Sequence, residues 1–164
     1  MSELARALTG DSAAAPAAHI LEGPGADVVG RKFEGVPHTI YQELWHLAFW
    51  QQISLDWISG KKTPYPNAPS DAFPEKSVTD WDGWVEVRDR FLSGCEFAAA
   101  MTLKPERLEK LIVCPSQPGR PSRMMSVREQ LESLAAHNSY HLGRIVLLRQ
   151  IFGSWPPPSG GYTW

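Results

Sequence analysis

Ala135 to Gln150 reads AAHNSYHLGRIVLLRQ, and the rest of the chain is best read outward from it. Leu142, Ile145 and Leu148 recur at steps of three, the spacing of one apolar stripe on a helix. Followed back to Val127 and on to Phe152, the stripe takes in Leu131, Leu134, His141 and Arg149, with His137 at its edge and Arg128, Glu132, Ser139 and Gln150 opposite. His137 and His141 are four residues apart, so on a helix their rings point the same way, toward the interior or a cleft. Both ends are marked: Ser126 and Glu129 stand at capping-box spacing, and Gly153 followed by Pro156 reads as a stop.

A second helix of this kind is predicted over Thr39 to Ser59, opened by Thr39 and Gln42 at capping-box spacing and closed by Gly60 and Pro64. Its inner face reads Ile40, Glu43, His46, Leu47, Trp50, Ile53, Trp57 and Ile58, which puts a carboxylate and a histidine one turn apart among large apolar groups. A third helix runs from Val78 or Thr79 to Met101 with Trp81, Trp84, Phe91, Leu92, Cys95 and Ala99 inward, and Ser2 to Leu8 makes a short first one. Between them, Thr9 to Pro37 is broken by glycine and proline and reads as a long crossover with at most a weak turn near Ala17 to Val29. Lys61 to Lys76 is a proline-rich loop suited to the rim of a pocket. Pro105 opens a short helical segment ending near Ile112, and the prolines from Pro115 to Pro121 form a loop into the last helix. No alternating run reads as a strand. The tail SWPPPSGGYTW is too rich in proline and glycine to be helical, and it either drapes over the helices or reaches a partner chain. The expectation is an all-α, antiparallel four-helix bundle with a long crossover, forming a single domain over residues 1–164.

Sixteen basic residues against eighteen acidic ones, a net charge of -2, argue against nucleic acid or an anionic membrane surface as a partner. Cys95 and Cys114 are too few for a disulfide framework and lack metal-pair spacing; Cys95 reads as a reduced core thiol. The N-terminal residues show no basic leader and no sustained apolar run, so neither a signal peptide nor a membrane span is expected, and the cytoplasm is the expected location.

The chemistry rests on histidine. His19 and His38 fall in or beside loops and read as solvated or capping side chains, whereas His46, His137 and His141 fall on the inner faces of the two best-marked helices. One inward histidine ordinarily finds a carbonyl or hydroxyl. Three are harder to satisfy, because each brings two polar nitrogens inside at about 1 to 3 kcal/mol for every one left unpaired. A shared divalent cation removes that difficulty and, with three neutral ligands, keeps a coordination position open as catalytic zinc does. Such a cation either acidifies a bound water to hydroxide or takes a substrate thiolate. The helical zinc-protease pattern is absent, since Asn138 stands where its glutamate would follow His137. Glu43 has four readings: a fourth ligand, an acceptor for an imidazole N–H, a general base, or an ordinary surface acid if its side chain turns outward. Arg149 either meets an anionic substrate or serves a salt bridge or the helix C-terminus.

HTIYQELWHLAFWQ around His46, AAHNSYHLGRIVLLRQ, and the Gly153 to Pro158 tail together resemble the DinB/YfiT-like metalloproteins, from Pro37 onward and most strongly in the two helices. The resemblance implies a four-helix bundle in up-down-down-up order, one divalent metal ion, nickel or zinc, held by a histidine triad at His46, His137 and His141, and a homodimer. Some members of that family are S-transferases using a low-molecular-weight thiol, and some are isomerases. A metal-dependent transferase acting on small molecules is therefore expected, with a metal-dependent hydrolase or a non-catalytic metal- or ligand-binding stress protein as alternatives.

Overall fold

The computed structural model describes residues 1–74 and 81–161; the expected start of the third helix at Val78 or Thr79 and the last three residues of the tail lie outside the described residues. Among the described residues the fold is mostly helical, with one small two-stranded sheet.

The two best-marked helices form as read: α4 is Ile40–Ile58 and α7 is Val127–Ile151. Both capping boxes close in both directions, with Thr39 Oγ1 accepting from the Gln42 N–H at 3.2 Å and Ser126 Oγ accepting from the Glu129 N–H at 3.1 Å, while Gln42 and Glu129 reach back to the cap N–H groups. Each reciprocal pair satisfies amides that the first turn leaves without an intrahelical partner. α5 is Trp81–Met101 and α1 is Glu3–Thr9, started by Ser2 and stopped at Gly10, whose φ of 83° suits glycine. α4 packs against both α5 and α7, and α1 lies against α5 and α7. With neighbours on two sides, α4 buries more than one stripe: Leu44, Gln51 and Ser54 are buried along with the expected face.

The crossover is more ordered than its glycines and prolines suggest. It holds two one-turn helices, α2 (Ala17–Ile20) and α3 (Ala26–Val29), and inserts Ile20, Leu21, Val28 and Val29 into the core. That core forms two clusters. On α4 the first ends at Ala48 and the second starts at Ile53; on α7 the second ends at Ala135 and the first resumes at Leu142. Gln51, Asn138 and the histidines of α7 occupy the interval, so a polar layer divides the apolar interior.

Three expectations are corrected. Pro105 does open a helix, α6, but it stops at Leu108. Leu111–Cys114 is then a strand, β1, pairing antiparallel with β2, Arg123–Ser126, in the register Leu111↔Ser126 to Cys114↔Arg123. Four residues are too few to display a period, and β2 (RMMS) has no run of β-branched residues, so the pairing is visible only once the partners meet. Second, the 115–121 loop joins two strands, and β2 leads directly into α7. Third, Trp84 and Trp57 are buried as expected, but Trp81 is 38% exposed. Helical period predicts which face a residue takes, not how far the neighbouring helices extend along it.

The tight α4–α5 contact supplies a first prediction. A Cβ added at Gly94 would lie 2.0 Å from Nε2 of Gln51. Gln51 cannot easily retreat, because that nitrogen donates to the Phe91 carbonyl at 2.7 Å while its Oε1 accepts from Asn138 Nδ2 and the Cys95 thiol. Gly94→Ala, which in an exposed helix gains up to about 1 kcal/mol, is expected here to destabilise by roughly 1 to 3 kcal/mol, read as a lowered urea midpoint.

Candidate metal centre

Contact between α4 and α7 brings His46 to His137 and His141. One ring nitrogen from each lies within 4.8 Å of the other two, and the Nε2 atoms of His46 and His137 are 3.3 Å apart. Two nitrogens bound tetrahedrally at about 2.0 to 2.1 Å from one zinc would be separated by about 3.3 to 3.4 Å.

The surroundings set which nitrogen each ring presents. His46 Nδ1–H donates to the Ala72 carbonyl at 2.9 Å, and His141 Nδ1–H donates to Glu43 Oε2 at 2.6 Å, leaving Nε2 of each as a lone pair. The acceptor Ala72 ends a short 3-10 turn, Pro69–Ala72, in the proline-rich loop, and the next residue, Phe73, stacks on the His46 ring with centroids 4.5 Å apart. His137 is held differently: its Nδ1 is buried and, among the described residues, has no hydrogen-bond partner. Burial, reinforced by the His141 and His46 rings, pushes the His137 pKa down to about 4. Burial also lowers His46, partly opposed by the Ala72 carbonyl. Both rings are therefore neutral near pH 7 and can donate lone pairs. Three imidazoles with converging nitrogens, those of His46 and His137 neutral, make a donor set that fits a divalent cation of the zinc or nickel type.

Glu43 is fully buried, which removes the surface-acid reading. Oε2 accepts from His141 and Oε1 accepts from Arg144 Nε at 2.9 Å. Burial alone would raise its pKa, but the His141 hydrogen bond and the Arg144 guanidinium outweigh it and hold the carboxyl below its ordinary range. Of the roles open to Glu43 in the sequence, acceptance from an imidazole N–H is the one its contacts match.

Several neighbours escaped the sequence reading. Arg144, three residues after His141, was detectable as a cation one turn from a buried acid's partner. Ala72 and Phe73 gave no signal, because a loop has no period that aims it. His38, read as a solvated or capping side chain, is half-buried and stacked on Phe73 at 3.9 Å. Next to the histidines of α7, Asn138 is buried on Gln51, while Tyr140 is exposed and meets Arg144 through its hydroxyl. Arg149 is buried away from any substrate position, donating to the carbonyls of Ile20 and Ser154. Burial, with Glu96 adding, pushes the Cys95 thiol up to about 12, as befits an inert core residue.

Beside His137 a cleft of about 470 Å³ opens between α4, α7 and the hairpin. Trp50 and Trp57 supply part of its wall, and Tyr65 brings the proline-rich loop to its edge. No helix among the described residues is long and apolar enough to cross a membrane.

The family model for the DinB superfamily matches residues 10–145, which includes all three histidines and Glu43. No curated protein and no solved structure matches the chain.

Proposed function

The chain belongs to the DinB superfamily, and from that membership and the geometry above we propose that it is a metal-dependent transferase whose single divalent ion, zinc or nickel, is held by His46, His137 and His141. The observation that carries the reading is the open cleft that His137 lines: a purely structural site would be enclosed, whereas this triad borders a cavity large enough for a small molecule. When bound, the ion would lower the pKa of a low-molecular-weight thiol and hold it as thiolate. The protein's own groups do the rest. Ala72 and Glu43 fix the rings of His46 and His141, His141 and Arg144 keep Glu43 ionised, and the aromatic wall gives the apolar part of a substrate a surface to pack on. In the overall reaction the thiol loses its proton, sulfur bonds to an electrophilic carbon, and the leaving group departs with its electron pair.

The same proposal takes α1, α4, α5 and α7 as an up-down-down-up four-helix bundle, supported by their pairwise packing, in one domain over residues 1–164 that works as a cytoplasmic homodimer.

Protein purified without a nickel column, assayed with several thiols and an activated aryl halide, is expected to give thiol-dependent product that disappears on chelation and in His141→Ala. Chelator-sensitive ester cleavage that needs no thiol would replace this reading with the hydrolase.

A further inference from the structure

The β-hairpin that the sequence concealed forms the wall of the cleft opposite the aromatics, and its charge is distinctive. Arg120 and Arg123 both line the cleft, and among the described residues no aspartate or glutamate does, although the chain as a whole is net negative. Arg123 opens β2 opposite Cys114 and shares a face with Met125, the buried residue of that strand, so the pleat turns it to the cleft side. Arg120 closes a turn in which its N–H bonds to the Gln117 carbonyl at 2.9 Å, with Gly119 at φ 81°. Among the described residues neither guanidinium is in an ion pair, although Arg123 is near enough to Glu129 for its charge to help lower that carboxyl's pKa, whereas Arg128 on the adjoining helix meets Glu109 at 3.0 Å. Ser116 and Gln117 add hydrogen-bonding groups at the same end. One wall is therefore cationic and polar, and the other is the flat apolar surface of Trp50, Trp57 and Tyr65.

We propose that this cleft selects an organic anion, a carboxylate or phosphate joined to an apolar or aromatic body, with Arg120 and Arg123 binding the anionic group and the three aromatics binding the body. Guanidinium presents a planar fork to such oxygens. This names the substrate class of the transferase proposed above and rests on that reading for its catalytic meaning, but the binding preference itself needs no metal.

Trp50 and Trp57 allow binding to be followed by intrinsic fluorescence in chelator-treated full-length protein. The probes are 3-phenylpropionate, 3-phenylpropyl phosphate and the neutral isostere 3-phenylpropanamide. Both anions are expected to bind at least about tenfold tighter than the amide, the worth of one or two charge-assisted hydrogen bonds. Arg120→Gln with Arg123→Gln should remove that margin while leaving amide affinity and the circular dichroism spectrum unchanged. Arg120→Lys with Arg123→Lys should restore part of it, and 0.5 M salt should weaken it. Equal binding of anions and amide by the metal-free protein, or a margin that survives the double glutamine variant, overturns the proposal. If the margin holds in protein that turns over no thiol, the anion site stands and the S-transfer reading falls; thiol turnover with no margin gives the reverse.

Discussion

Alanine at His46, His137 or His141 is expected to lower the affinity for zinc or nickel by more than about a hundredfold, whereas Glu43→Gln should lower it by about ten- to a hundredfold, the usual effect of an outer partner. The difference follows from what each residue touches. The three rings converge nitrogen to nitrogen, with Nε2 of His46 and His137 3.3 Å apart, while among the described residues the Glu43 carboxylate meets His141 and Arg144. Glutamine keeps an oxygen that can accept from His141 but loses the charge that strengthens the hydrogen bond holding that ring in place. Competition titration with a chromophoric chelator, alongside elemental analysis of each variant, reads these constants directly. If Glu43→Gln costs as much as a lost histidine, Glu43 is a ligand, and the assignment of its carboxylate to His141 fails. If the alanine variants bind as the parent does, the triad is only a packed polar layer.

The largest expected effect on stability lies elsewhere, at Arg149. Its guanidinium is 1% exposed, donates to the Ile20 carbonyl at 2.6 Å and to the Ser154 carbonyl at 2.7 and 3.1 Å, and stands 5.5 Å from the Trp155 ring centre. One side chain thus ties the crossover, the end of α7 and the C-terminal segment together. Arg149→Met keeps much of the aliphatic stem but strands two carbonyls that have lost a charged donor, so a loss of about 3 kcal/mol is expected, equivalent to roughly 6 to 12 °C in Tm for a chain of this length. Arg128→Ala, which removes a surface ion pair with Glu109, serves as the comparison and should cost less than about 1 kcal/mol. Metal affinity in Arg149→Met should stay near that of the parent, because Arg149 lies two turns beyond His141. A drop of less than about 1 kcal/mol would mean that the contacts to Ile20 and Ser154 are no stronger than surface ones.

How much of this was legible in the chain differs from residue to residue. Thr39 with Gln42, and Ser126 with Glu129, announced the starts of α4 and α7 because a capping box is written within four positions. His46, His137 and His141 were found because each falls on a face that helical period defines. Arg149 was narrowed to a substrate contact, an ion pair or a helix C-terminus, and the fold selected the last, adding the carbonyl of Ile20 from the crossover. Trp81 was misplaced because period carries no information about where a neighbouring helix ends.

By itself the sequence determined the long helices, their caps and the inward faces that carry His46, His137 and His141, since these depend on intervals of three and four residues that local backbone geometry enforces. Only the tertiary structure decided that Leu111–Cys114 pairs with Arg123–Ser126, that Glu43 faces His141 and Arg144, and that the Ala72 carbonyl orients His46. Those contacts join residues from 9 to 101 positions apart, and what brings them together is burial of the apolar surface between helices, a force that has no direction along the chain and leaves no spacing in it to read.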